Sequence, residues 1–117
     1  MSEFPSSLPG IDVASALARL GGNEKLYAKL LRKVAGDAPV IQERLSSAMV
    51  QGDAAGAREA AHSLKGAALN LSLVRIAEIA AKMEEAAIAE DFSLMFGYLD
   101  ALEEALGELV GVVEGLE

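Results

Sequence analysis

The sequence predicts an all-α fold, an antiparallel up-and-down four-helix bundle with additional short N-terminal helices. Three observations carry that reading. Apolar residues recur at intervals of three and four, the spacing that lines one face of a helix. Each periodic stretch is bounded by glycine or by a capping residue, among them Asp12, Asn23, Asp53, Ser72 and Asp91. No stretch alternates with the period of two that a half-buried strand needs, and the connections are short enough to force consecutive helices antiparallel.

Residues 1–10 hold Pro5, Pro9 and Gly10 and read as an irregular lead-in. Asp12 caps a short helix over about 13–20, which Gly21-Gly22 ends. Asn23 caps a second over about 24–35, with Leu26, Leu30 and Val34 on its apolar face and Gly36 as its stop. Asp37 with Pro39 opens a third, since proline is harmless in a first turn where its missing N–H would be unpaired anyway. Its buried face is Val40 or Ile41, Leu45, Ala48 and Met49. Gly52-Asp53 closes it and caps a fourth helix, where Ala57, Ala61, Leu64, Ala68 and Leu71 make the core stripe. Ser72 is the expected cap of a fifth, about 73–89, with Ile76, Ile79 or Ala80, Met83 and Ala87 inward. Asp91 caps a sixth, about 92–113, whose stripe runs from Phe92 through Met95 or Phe96, Leu99, Leu102, Leu106 and Leu109 to Val113. Helices three to six form the bundle, with the first two against its side or end. Residues 11–114 are then one domain, and 115–117, after Gly107 and Gly111, a frayed tail.

Length and composition narrow the function. A chain of 117 residues fits one domain. It can bury about two-thirds of its unfolded surface, so its core needs no metal or disulfide. Cysteine is absent, which excludes thiolate chemistry. The net charge of −8, from 18 acidic and 10 basic residues, argues against nucleic acid, whose phosphates require a basic footprint. No apolar run approaches the ~20 residues of a membrane span, and the N-terminus lacks the pattern of a signal peptide. The expectation is a cytoplasmic monomer without membrane insertion.

The single histidine, His62, lies in the fourth helix. At about 100° per residue, Arg58, His62, Lys65, Gly66 and Leu69 fall opposite the core stripe and face water. A neutral ring nitrogen is a nucleophile, and the unperturbed imidazole pKa of about 6.5 leaves a useful neutral fraction at cellular pH. Lys65 stands about 60° round the helix and nearly one turn along, within reach of an oxyanion held at the imidazole. Gly66 is unfavourable in an exposed helix by roughly 1 kcal/mol relative to alanine, so its place beside the imidazole suggests close approach by another molecule. Leu69 and Arg58 are candidate docking residues on the same face, with partial burial against a neighbouring helix as the alternative for Leu69 and an ordinary solvated role for Arg58. Ser63 lies at the fringe of the core stripe, and Asn70 has a capping role near the helix end.

The string His62-Ser63-Leu64-Lys65-Gly66-Ala67-Ala68, followed by Asn70-Leu71, resembles the phosphorylation-site signature of histidine-containing phosphotransfer (HPt) domains. Leu8-Pro9-Gly10-Ile11-Asp12, Leu17-Ala18-Arg19-Leu20-Gly21-Gly22-Asn23, Leu26-Tyr27 and Leu30-Leu31 resemble the N-terminal half of the same domain, so the likeness spans roughly residues 8–110. One departure is Ser72, where many members carry glycine. The resemblance implies a phosphorelay intermediate that takes a phosphoryl group from a receiver-domain aspartate onto His62 and passes it to another. It makes Lys65 the stabiliser of that group and Gly66 the opening for the partner. The implied partners are response-regulator receiver domains and a hybrid sensor kinase. The chain has no Gly-rich phosphate loop and no acidic cluster at Mg²⁺ spacing. It is therefore expected to carry no cofactor of its own, the Mg²⁺ belonging to the receiver, and to be called an enzyme only by convention.

Three rivals are weaker. The phosphoacceptor domain of a sensor kinase has an acidic residue after its histidine and a later Thr-Pro, but here Ser63 follows and threonine is absent throughout. A di-iron bundle needs paired Glu-x-x-His motifs that one histidine cannot supply. The alternative that stands is a helical protein-binding module without phosphoryl chemistry.

Overall fold

The computed structural model describes residues 4, 5 and 7–116, so part of the lead-in and Glu117 lie outside the described residues. Five helices follow in order, α1 (Val13–Arg19), α2 (Glu24–Val50), α3 (Ala54–Asn70), α4 (Val74–Ile88) and α5 (Phe92–Glu114), with no strand among the described residues. Helices α2 to α5 form an antiparallel bundle in which α3 packs on α4, α4 on α5, α5 on α2 and α2 on α3. The short α1 lies against α2 at one end.

The turns explain the antiparallel order. Each of the four connections ends a helix on a left-handed residue, with the next N–H bonding back to a carbonyl five residues earlier. These bonds are Gly22 N to Leu17 O at 2.7 Å, Asp53 N to Ala48 O at 2.8 Å, Leu73 N to Ala68 O at 2.8 Å and Asp91 N to Ala86 O at 2.9 Å. The left-handed residues are Gly21 and Gly22 in the first turn and Gly52, Ser72 and Glu90 in the other three. The residue that starts the next helix follows at once, and Asp12, Asn23, Asp53 and Asp91 each accept a bond from the first turn as expected. Ser72 differs from the expectation. It occupies the left-handed position that ends α3, leaving Leu73 as the N-cap of α4 with no side-chain bond.

The predicted break at Gly36 does not occur, and the expected second and third helices are one, α2, with Pro39 inside it. A proline within a helix costs ~3 kcal/mol by intrinsic propensity. Here the buried face continues on both sides of it, through Leu31, Val34, Ala35, Ala38 and Leu45. Gly36 and Pro39 both sit on the exposed face, so neither interrupts the packed one. Continuous packing therefore outweighs local propensity. The face is also rotated from the expected one. Leu26 and Val40 are exposed, while Tyr27, Ala28 and Leu31 turn inward.

The other stripes hold. Ala57, Ala61, Leu64 and Ala68 of α3, Ile76, Ala80, Met83 and Ala87 of α4, and Met95, Leu99, Leu102, Leu106 and Leu109 of α5 are buried together in one core. Of the paired alternatives, Met95 and Ala80 are the buried members, while Phe96 is exposed. At the chain's end Gly115 is the C-cap of α5, and Leu116 still donates to the Val113 carbonyl at 3.0 Å.

The N-terminal elements are fastened to the end of α3. Asp12 N donates to the Ser72 carbonyl at 2.9 Å and Arg75 N to the Gly10 carbonyl at 3.2 Å. Arg19 Nη1 donates to the Leu69 carbonyl and, at 3.1 Å, to that of Asn70. Those carbonyls belong to the last turn of α3, which has no intrahelical partners for them.

Candidate functional site

α3 begins where the Asp53 carboxylate accepts from Gly56 N at 2.9 Å. Its alanine-rich core stripe lets α3 pack closely on α4. With that stripe turned inward, the rest of the helix is fixed. His62, Gly66, Leu69 and Arg58 are exposed, as the spacing predicts, and the His62 side chain keeps 69% of its surface open.

Antiparallel packing brings Glu84 of α4 level with this face. Its Oε2 lies 2.6 Å from His62 Nδ1, and its Oε1 accepts from Lys65 Nζ at 2.5 Å. One carboxylate, only 12% exposed, thus joins both candidate residues. The Lys65 hydrogen bond, and after it the contact with His62, hold the Glu84 carboxyl below its ordinary value of 4.5, against burial, which pushes it up. An ionised carboxylate only accepts, so the hydrogen between Glu84 and a neutral His62 resides on Nδ1. The lone pair is then on Nε2, on a ring whose surface is mostly in water.

Lys65 is less free than the sequence suggests. Its side chain is 28% exposed, and its ammonium rests on Glu84 instead of extending into solvent. Gly66 behaves as expected, because a Cβ there would meet no heavy atom within 4 Å. Leu69 is 54% exposed, which decides against burial as its role. Arg58 lines a groove of about 350 Å³ with His62, Glu59 and Glu84. Asn70 caps nothing with its side chain; its backbone carbonyl receives Arg19.

Glu84 is the site residue that sequence reasoning missed. It follows the buried Met83 and so sits at the edge of α4's core stripe. The stripe shows that edge position but not which neighbouring helix the carboxylate faces. No group of three or more His, Cys, Asp or Glu side chains among the described residues could hold a metal ion. No helix among them is long and apolar enough to cross a membrane.

The sequence profile of the Hpt domain matches residues 29–111, most of α2 and all of α3 and α4, with α5 nearly to its end. Two solved structures share the architecture. Histidine-containing phosphotransfer protein B (HptB) from Pseudomonas aeruginosa PAO1 superimposes with a TM-score of 0.82 at 24% identity, over 92% of this chain and 94% of that one. The HPT domain from the Hpt sensor hybrid histidine kinase from Shewanella gives 0.76 at 17% identity, over 90% and 91%. At those identities the likeness speaks to the fold. No curated protein matches the chain. With more than half of its length matched by the profile, the chain belongs to the Hpt domain family.

Proposed function

We propose that His62 is the phosphoacceptor and that Glu84 and Lys65 are arranged around it for that task. The family gives the chain a histidine phosphotransfer role in a phosphorelay, in which Hpt domains work with receiver domains and histidine kinases. The observation that carries the residue-level reading is the bond between Glu84 and Nδ1 of an exposed imidazole. It selects the tautomer whose Nε2 lone pair points away from the carboxylate.

In the forward step Nε2 attacks the phosphorus of an aspartyl phosphate on the receiver. The N–P bond forms as the P–O bond breaks, and the aspartate leaves as a carboxylate. The ring keeps its Nδ1 hydrogen and becomes cationic, and the nearby Glu84 carboxylate stabilises that charge as it develops. Lys65, held by Glu84 one turn from the ring, supplies a positive charge beside the incoming phosphoryl oxygens. Passing the group to a second receiver reverses the step. Mg²⁺ belongs to the receiver in this reading, and Gly66 leaves room for the receiver's loops. Leu69 and Arg58 extend the contact surface on either side. We place the chain in the cytoplasm, and as a monomer, the latter supported by its net charge of −8, which favours mutual repulsion of copies.

The test is transfer from a phosphorylated receiver domain. Wild type gains one acid-labile phosphoryl group, whereas His62→Gln gains none and keeps its helical circular dichroism. Labelling that persists in His62→Gln would overturn His62 as the acceptor, and a wild type that takes no label would return the chain to a binding module.

A further inference from the structure

His62 stands between two cations of α3 whose surroundings differ. Lys65, three residues on, has its ammonium on Glu84 Oε1, while Nδ1 of His62 lies against Oε2 of the same carboxylate. The ammonium is thereby held on the Nδ1 side of the ring, whereas the phosphoryl group forms on Nε2. Arg58, four residues before His62, is exposed and makes no hydrogen bond or ion pair among the described residues. Residues four apart are neighbours on a helix surface, ~5–6 Å between Cβ atoms. A helical side chain also leans toward the preceding turn, which for His62 is the turn of Arg58.

Arg58 and His62 line one groove of about 350 Å³ along the first half of α3, with Glu84 as its α4 wall. Ala55 lines it too and fills little of it. The charges here balance only until a phosphoryl group arrives. Lys65 and Glu84 already neutralise each other. The group brings roughly two negative charges, which the cationic ring offsets in part, and Glu59 in the groove lining adds to the excess. Arg58 is the remaining cation of that lining. Its planar fork of donors matches phosphoryl oxygens in pairs, which an ammonium cannot do.

We infer that Arg58 is a second phosphoryl-binding residue, whose guanidinium folds over the group on Nε2 and holds it from the side of the ring away from Glu84. This role rests on the phosphoacceptor reading of His62. Lys65 acts from an ion pair that exists before transfer. Arg58 is unengaged until the group arrives, so its bond forms without breaking another. The result is a phosphohistidine favoured against the aspartyl phosphate that supplied it, and so a group retained between two encounters with receivers. No partner is needed for that, which separates this role from docking.

The experiment uses the isolated ¹⁵N-labelled chain, loaded from a phosphorylated receiver and then freed of it. The ³¹P resonance of the phosphohistidine is followed against pH, together with the arginine Nε–H signals. Loading should shift the Arg58 signal of the wild type, identified by its loss in Arg58→Gln. In that variant the phosphoryl group should titrate about 0.5 pH higher, because the neighbouring charge that favours its dianion is gone. The transfer equilibrium should move about fivefold toward the receiver, as for one exposed charge-assisted contact. Arg58→Lys should restore part of both effects, and Glu59→Gln should move the titration the other way. The inference is overturned if the isolated phosphoproteins titrate alike and loading leaves the Arg58 signal in place. A lowered affinity for the receiver with those results would make Arg58 a docking residue only. It is overturned equally if Arg58→Gln and Glu59→Gln shift the titration in the same direction, since charge would then not be the cause. A wild type that takes no label strikes the phosphoacceptor reading and this one together, whereas loading without a response at Arg58 strikes this one alone.

Discussion

The Tyr27 hydroxyl donates to the Leu71 carbonyl at 2.7 Å, joining the first turn of α2 to the residue that ends the helix bearing His62. The ring is fully buried and packs against Phe4, centroid to centroid at 5.4 Å. Burial, and after it the nearby Asp12 carboxylate, push the phenol up from 10.0 to about 12, with Arg19 acting in the opposite direction. A folded pKa above the unfolded one favours the native state fully below pH 10 and progressively less as pH rises toward 12. Denaturant titrations of wild type should therefore lose stability across that interval. Tyr27→Phe should be less stable by about 1 kcal/mol at neutral pH, from the lost hydrogen bond, and should lose less on alkalinisation. Parallel alkaline curves for the two proteins would contradict the assignment.

Glu84 separates positioning from mere presence of charge. Glu84→Gln keeps an acceptor for Nδ1–H but removes the carboxylate, and should slow transfer about tenfold. Glu84→Ala removes both and should slow it by up to about a hundredfold, by analogy with the loss of a carboxylate that orients a metal-bound histidine. Imidazole ¹⁵N shifts provide the readout that a structural role would not move, since Glu84→Ala should let His62 populate both tautomers. Unchanged shifts would refute the orienting role. The pH dependence has the opposite sign from that of Tyr27. A depressed carboxyl pKa stabilises the fold above 4.5 and ceases to do so as pH falls through the lower folded value, so Glu84→Gln should flatten the acid limb.

Gly66 tests access. Because a Cβ at this position meets nothing within 4 Å, Gly66→Gln should stabilise α3 by roughly 0.5–1 kcal/mol through helix propensity. The same side chain stands one turn from the imidazole, where the receiver must bring reacting atoms to ~3–3.5 Å, and a displacement of 1 Å can cost about a hundredfold. Thermal melting and transfer kinetics should therefore move in opposite directions. Normal transfer by this variant would remove access as the reason for the glycine.

Ser72→Gly should stabilise the protein. It relieves a left-handed non-glycine residue and deletes a buried hydroxyl without a partner, together about 1–2 kcal/mol. For a domain of this size the melting temperature should rise by several degrees. A fall would mean that the hydroxyl is satisfied in solution.

The sequence revealed the core stripes of α3, α4 and α5 because each is an uninterrupted helical period between good caps. It also placed His62, Gly66 and Leu69 on the open face, since one buried stripe fixes the opposite side of a helix. It misled at Gly36 and Pro39, where local propensity points to a break that packing on both sides overrides. Ser72 deceived for a related reason, because serine suits an N-cap and the left-handed position one residue earlier is not legible from residue type. Glu84 was out of reach for a different cause. Its pairing with His62 and Lys65 depends on how α3 and α4 face each other, and nothing within either helix encodes that.

The four turns also bear on how the chain acquires its structure. Each lets one helix pack on the next with almost no loop to close, so α2 on α3, α3 on α4 and α4 on α5 can form as local hairpins. Among the helix pairs of the bundle, α2 with α5 is the one that joins elements not consecutive in sequence. Topologies dominated by near-neighbour contacts refold in about microseconds to milliseconds. Seating α5 on α2 is then the step that carries most of the loop-closure entropy. The helix bearing His62 lies between two local partners and can assemble with Glu84 before that final seam closes.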